Sequence, residues 1–225
     1  MKLKALLLDL DGTLVNTAPD MVASLNRVLV NHNHAQADIT QASKLVSNGA
    51  KALLEFGFGD AFKNFSSDEL VNEFLSDYAK HVCVDSHLYD GMAEILELCK
   101  QNDIRWGVIT NKPIELSKSL LEGLGLFERC SILLGGDSLP VRKPDPAPLL
   151  HSCMVMSLAP SECLYVGDHE RDIIAGNAAG MDTAAALWGY IQEHETPENW
   201  KAKFLTNTPQ GLLRLVEDKI ALSFT

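Results

Sequence analysis

Leu3-Lys4-Ala5-Leu6-Leu7-Leu8-Asp9-Leu10-Asp11-Gly12-Thr13 decides how the rest of the chain is read. An apolar run close to the N-terminus stops at two carboxylates, a glycine and a threonine. A short apolar run bounded in this way suits a buried strand. On an extended chain, side chains at i and i+2 point to the same side, which predicts that Asp9 and Asp11 share one face. Gly12 permits a sharp turn, and Thr13 offers a hydroxyl. At the mouth of a buried strand, such a pair suits binding of a hard cation and attack on an electrophile. Read alone, the same residues also suit an ordinary turn.

The 225 residues suffice for one substantial core, or for one domain with a modest insertion. A composition of 46% hydrophobic and 22% charged residues is that of a globular protein rather than a disordered or fibrous chain. The net charge of −11 excludes the basic footprint of a nucleic-acid binder. It leaves room for an anionic substrate, because a bound divalent cation reverses the local field. Cys83, Cys99, Cys130, Cys153 and Cys163 form no CxxC pair, which predicts free thiols in a reducing compartment. The first apolar run, broken at once by Asp9 and Asp11, reads as a strand rather than a signal peptide. No stretch approaches the roughly 20 apolar residues of a membrane helix, so a cytoplasmic protein that binds no membrane is expected.

Apolar runs suited to buried parallel strands recur at residues 3–8, 104–109, 131–134, 163–166 and 183–187. Helical patterns at 91–102, 114–124, 146–156 and 171–179 separate most of them. This alternation predicts an α/β fold, a Rossmann-like parallel sheet with helices on both faces. Right-handed crossovers gather the C-terminal strand ends, where such folds bind ligands, on one edge. The interval after Thr13 breaks the rhythm, with helical patterns at 21–30, 50–56 and 67–82 and no convincing strand. Ser67 or Asp68 is the expected N-cap of the last of these. The pattern predicts a core domain of residues 1–17 and 85–225 and a small helical cap domain of residues 18–84, inserted after the first strand.

Polar residues follow the later strands: Thr110-Asn111, then Arg142-Lys143-Pro144-Asp145, then Gly167-Asp168-His169-Glu170-Arg171-Asp172. Each has a plain reading, as a helix cap, a surface lysine or favourable charges at a helix N-terminus. Gathered on one edge, they form carboxylate sites for a cation, a hydroxyl and amide, and a fixed ammonium. That set suits phosphoryl transfer.

In these residues the chain resembles the haloacid dehalogenase superfamily of phosphohydrolases. The four motifs of that superfamily stand in order as Asp9-x-Asp11-Gly12-Thr13, Thr110, Lys143 and Gly167-Asp168-x-x-x-Asp172. The resemblance implies that Asp9 is the nucleophile, forming an aspartyl-phosphate, and that Asp11 is the acid and then the base. It implies that Asp9, Asp168 and the Asp11 backbone carbonyl hold Mg²⁺, with Asp172 behind them or acting through a water. Thr110 and the Asn111 backbone would bind phosphoryl oxygens, and Lys143 would offset charge on nucleophile and phosphate. For its first proton transfer Asp11 needs to be protonated when substrate arrives.

The insert is similar to the cap of the phosphoglycolate phosphatase-like group, as are Lys143-Pro144-Asp145-Pro146-Ala147-Pro148-Leu149 and Gly189-Tyr190. In the insert, Ser47-Asn48-Gly49-Ala50 could meet an anionic group with helix N-terminal amides, or simply begin a helix. Tyr89-Asp90-Gly91-Met92, Gly189-Tyr190-Ile191 and Trp200 are similar to N-acetylmuramic acid 6-phosphate phosphatases. The expected substrate is therefore a small phosphorylated metabolite. 2-Phosphoglycolate is the first candidate and N-acetylmuramic acid 6-phosphate the alternative, and a monomer or weak dimer is expected. A phosphosugar mutase would share the same catalytic residues. A non-catalytic binding module would be marked by loss of the nucleophile, the lysine or the last acidic motif, and none is lost. Asp11 argues against dehalogenase chemistry. Lys44, Lys51, Lys63 and Lys80 offer the insert little beyond surface lysines for Schiff-base chemistry.

Overall fold

The computed structural model describes residues 2–221. In chain order the elements begin with β1 (Ala5–Leu8), β2 (Val15–Asn16), α1 (Ala18–Asn31), α2 (Ile39–Ser43), α3 (Gly49–Phe58), α4 (Ser67–Lys80) and β3 (His87–Leu88). They continue with α5 (Met92–Gln101), β4 (Arg105–Ile109), α6 (Ile114–Gly123), β5 (Leu133–Leu134), α7 (Ala147–Met156) and β6 (Cys163–Gly167). The chain closes with α8 (Glu170–Ala178), β7 (Asp182–Ala186), β8 (Phe204–Thr206) and α9 (Pro209–Ala221). Among the described residues no helix is long and apolar enough to cross a membrane.

Six parallel strands form one sheet in the order β5-β4-β1-β6-β7-β8. β1 lies inside it, hydrogen-bonded to β4 and β6, which explains why its sequence is apolar without alternation. The strand's two faces nonetheless enter different cores. Leu6 and Leu8 pack with Leu96, Leu120 and Leu212 from α5, α6 and α9. Ala5 and Leu7 pack with Leu149, Cys153 and Ala175 from α7 and α8. The α/β architecture expected from the alternating pattern is present, and β8 and α9 extend it beyond the anticipated strands.

Helices α1 to α4 occupy the interval after β1, and they carry a hydrophobic cluster of their own. Leu25 and Leu29 of α1 meet Leu53 and Leu54 of α3 and Leu70, Phe74 and Tyr78 of α4. Residues 70, 74 and 78 recur every fourth position, so α4 presents one apolar stripe inward. Its N-cap is Ser66, not Ser67 or Asp68. Ser66 is still extended, and its hydroxyl accepts the Glu69 amide at 3.4 Å, whereas the next residues are already helical. The two crossings between sheet and insert, read as plain chain in the sequence, pair as the antiparallel ribbon β2-β3.

Asp20 ties this junction. Its buried carboxylate accepts from the amides of Val84, Asp85 and Ser86 at 3.0, 2.9 and 2.9 Å, and from Ser86 Oγ at 2.6 Å. One side chain in the first turn of α1 thus satisfies three amides of the chain leading into β3, 64 to 66 residues later. Asp20→Ala leaves those donors without acceptors, so a loss of roughly 2–4 kcal/mol is expected in urea unfolding. A loss below about 0.5 kcal/mol, the level of an ordinary surface substitution, would contradict this role.

Candidate active site

β1 ends at Leu8, and Asp9-Leu10-Asp11 leave it in a turn in which the Leu14 and Val15 amides both donate to Leu10 O. The turn closes after the pair, and both carboxylates line one cavity. The two carboxylates meet different cations: Asp9 Oδ1 lies 2.9 Å from Lys143 Nζ, and Asp11 Oδ1 lies 2.9 Å from Lys112 Nζ. Thr17 Oγ1 also donates to Asp11 Oδ1, at 2.6 Å.

β6 supplies the second acidic edge. Asp168 follows its last residue, and Asp172 stands in the first turn of α8. Ligand oxygens of Asp9, Asp168 and Asp172 lie within 4.8 Å of one another, all buried. Gly12, at φ +82°, leaves space for this approach, since a Cβ there would sit 2.2 Å from Asp168 Oδ2. Asp168 accepts from Thr13 Oγ1 at 3.2 Å, the Tyr190 amide at 2.9 Å and Ser47 Oγ at 2.9 Å, the last from the insert.

Lys143 Nζ sits among these groups, 2.9 Å from Asp9 and 2.7 Å from Asp172, and it also donates to Ile109 O and Tyr165 Oη at 2.8 Å. Burial alone would pull its pKa down, but Asp172 and Asp9 outweigh that and hold the ammonium charged. Burial pushes Asp9 up to about 6 against the pull of Lys143, with Asp172 and Asp11 adding to the rise. Burial pushes Asp168 up to about 8, reinforced by Asp9 and Asp172. One ammonium thus faces three carboxylates, and the local charge is left negative. An all-oxygen, anionic donor set of this kind fits a hard divalent cation. Asp172 belongs to this cluster through its side chain, whose oxygens also meet Lys143 Nζ, Tyr165 Oη and the His169 amide.

Thr110 and Asn111 follow β4 and reach the same edge. They do not cap the next helix, which begins at Ile114 after Pro113. Thr110 Oγ1 accepts the Lys112 amide at 3.2 Å, and Asn111 Nδ2 donates to Lys143 O at 2.9 Å. Asn111 Oδ1 is buried without a hydrogen-bond partner. The predicted Asp9, Asp11, Thr110, Asn111 and Lys143 all line one cavity of about 680 Å³, whereas Asp168 stands beside it, its carboxylate within 4.8 Å of that of Asp9.

The insert closes the other side of this cavity with Ser47–Ala50, Phe74, Leu75 and Tyr78. Its docking is polar. Arg171 donates to Ser47 O at 2.8 Å and Asn48 Oδ1 at 3.1 Å, and His169 Nε2 lies 3.1 Å from the same Asn48 oxygen. Tyr190 Oη accepts the Thr17 and Ala18 amides at 2.8 and 2.9 Å, orphan donors at the start of α1. Lys112, Tyr165 and Tyr78 are not singled out by the sequence pattern. For Lys112 a signal was available, since it is locked between the polar pair Thr110-Asn111 and Pro113.

The family model of haloacid dehalogenase-like hydrolases matches residues 6–186. A phosphoglycolate phosphatase of Xanthomonas campestris is 40% identical, the alignment covering 93% of this chain and 94% of that protein. An N-acetylmuramic acid 6-phosphate phosphatase of Pseudomonas aeruginosa is 37% identical over 96% of each. A solved structure described as a predicted phosphoglycolate phosphatase from Haemophilus somnus superposes with a TM-score of 0.85 at 32% identity. That superposition covers 96% of this chain and 98% of the other.

The acidic cluster makes metal binding and protonation compete. Asp9 and Asp168 stand at about 6 and about 8 when folded, against an ordinary 3.8. The metal-free folded state therefore holds protons that the unfolded chain has released. Their stabilising contribution is full below about pH 3.8 and is lost as pH rises through about 6 and then about 8. The gain in Tm on adding Mg²⁺ to chelator-treated protein is accordingly expected to be larger at about pH 8 than at about pH 5.5. An equal gain, or a larger one at the lower pH, would contradict the cluster's charge state.

Proposed function

This chain belongs to the haloacid dehalogenase-like hydrolase family and is a phosphoric monoester hydrolase, and from that premise we propose that it is a Mg²⁺-dependent phosphatase acting through an aspartyl-phosphate on Asp9. The observation that carries the reading is the buried Lys143 ammonium, 2.9 Å from Asp9 and 2.7 Å from Asp172. It orients the attacking carboxylate and lowers the repulsion between that carboxylate and an incoming phosphate dianion.

In the first step an Asp9 oxygen forms a bond to phosphorus while the bond to the leaving alcohol oxygen breaks. Asp11 donates its proton to that oxygen. In the second step Asp11 takes a proton from the water that attacks phosphorus, and phosphate leaves Asp9. The Thr110 hydroxyl and the Asn111 amide offer donors to the phosphoryl oxygens. Asp9, Asp168 and the Asp11 backbone carbonyl would hold Mg²⁺, with Asp172 in contact with the same cluster. Once held there, the ion would supply positive charge to offset that of the phosphoryl group. Residues 18–84 act as the cap that excludes water and surrounds the leaving group.

2-Phosphoglycolate and N-acetylmuramic acid 6-phosphate are the two candidate substrates. The cavity favours the second. At about 680 Å³ it lies well inside the range of about 300–1,000 Å³ that drug-sized ligands fill, and a two-carbon acid would leave most of it to solvent. Its apolar wall of Val71, Phe74 and Leu75 suits a sugar ring and an acetamido methyl group.

Asp9→Asn should lower Mg²⁺-dependent hydrolysis by at least about a thousandfold while leaving cooperative unfolding in place. Substantial residual turnover would remove Asp9 as nucleophile. In steady-state assays on both esters, kcat/KM is expected to be about tenfold or more higher for N-acetylmuramic acid 6-phosphate. The reverse preference would return the assignment to 2-phosphoglycolate.

A further inference from the structure

We propose that Lys112 and the Tyr78 hydroxyl form a leaving-group subsite that holds a carboxylate carried by the substrate's alcohol. The proposal rests on the phosphatase reading and adds to it the feature of the leaving group that is recognised.

Lys112 comes from the turn after β4, and Tyr78 from the last turn of α4 in the insert, so the subsite spans both sides of the cavity. Lys112 is 8% exposed and Tyr78 1%. The ammonium meets one strong acceptor, Asp11 Oδ1 at 2.9 Å. Its other neighbours are Met21 Sδ at 3.7 Å and the Tyr78 ring, 4.4 Å from the ring centroid. A sulfur and an aromatic face are weak replacements for the water that an ammonium with three donors has lost. The Tyr78 hydroxyl is buried beside this ammonium, which acts on it electrostatically, and no acceptor lies within hydrogen-bonding geometry of it. Burial pushes its pKa up, so it remains a protonated donor. A buried donor left in this state is costly unless a ligand supplies the acceptor.

The other cations of the cavity are committed or outside. Lys143 has four partners, and Arg171 is held by Ser47 and Asn48. Lys51 is 63% exposed beside Glu55, and Arg142 is exposed. Lys112 is thus the buried ammonium with donor capacity to spare, and it adjoins Asp11, the group assigned to protonate the leaving oxygen. One point charge and one hydroxyl match the two oxygens of a carboxylate. A second phosphate, with three oxygens and a larger charge, would call for more donors. Both candidate substrates carry a carboxylate, one next to the phosphate ester and the other on a lactyl arm.

The test compares each ester with its counterpart lacking the carboxylate: 2-phosphoglycolate with 2-hydroxyethyl phosphate, and N-acetylmuramic acid 6-phosphate with N-acetylglucosamine 6-phosphate. Wild-type enzyme should prefer the acidic member of one pair by about tenfold or more in kcat/KM, and that pair identifies the source of the carboxylate. Lys112→Met should bring the ratio within that pair close to unity. Tyr78→Phe should raise KM for the acidic ester by about threefold or more, with kcat changed less than KM. It should also unfold at or above the wild-type temperature, because the hydroxyl it removes has no acceptor, so this variant carries the test if Lys112→Met fails to fold. Lysine acting only on Asp11 would lower both members of a pair equally and leave the ratio intact, which would overturn the subsite. So would a wild-type enzyme that hydrolyses both members of each pair alike. No Mg²⁺-dependent hydrolysis of any of the four esters would overturn the phosphatase reading itself, and the subsite with it.

Discussion

A single buried ammonium, Lys143 Nζ, makes the acidic edge of the sheet possible. Three carboxylates brought within 4.8 Å of one another away from water repel strongly, and burial raises the cost of each negative charge. Lys143 bridges two of them, from a loop 134 residues after Asp9. Its own burial is offset by the partners that its charge holds. The balance is incomplete, since Asp168 stays pushed up to about 8. A ligand edge where carboxylates are this costly to ionise without a further cation fits the demands of phosphoryl transfer.

The insert depends on the same edge. Its apolar cluster stabilises the helices, but its position comes from polar contacts at the mouth of β1 and β6. Tyr190 Oη holds the start of α1, Asp20 holds the returning chain, and Ser47 reaches Asp168 itself. The insert's wall of the cavity and the acidic cluster are therefore tied together by a few hydrogen bonds, with Tyr190 also packed into the insert's apolar cluster.

The fold was legible where one element carries its own pattern. β1 is an unbroken apolar run because it lies inside the sheet, and α4 shows its buried stripe at residues 70, 74 and 78. Asp9, Thr110, Lys143 and Asp168 could be read because each directly follows a strand or a turn at the same sheet edge. What could not be read is set by partners distant in sequence. β8 is three residues long and is recognisable only by its pairing with β7. β2 and β3 are two residues each and exist because they pair across the whole insert. The different fates of Asp9 and Asp11 follow from two lysines more than 100 residues away, information that their own spacing does not hold. Tyr78 reads as one more apolar position of α4, and only its packing beside Lys112 makes its hydroxyl noteworthy.

The central claim, that Asp9 carries the phosphoryl group between the two half-reactions, is tested most directly by acid-quenching the enzyme during turnover with Mg²⁺ and locating phosphate by peptide mass spectrometry. The account predicts an acid-stable, hydroxylamine-labile phosphoryl group on the peptide that contains Asp9, and none in Asp9→Asn. Phosphate on another residue, or turnover with no phosphorylated peptide under conditions that trap a known aspartyl-phosphate, would contradict it.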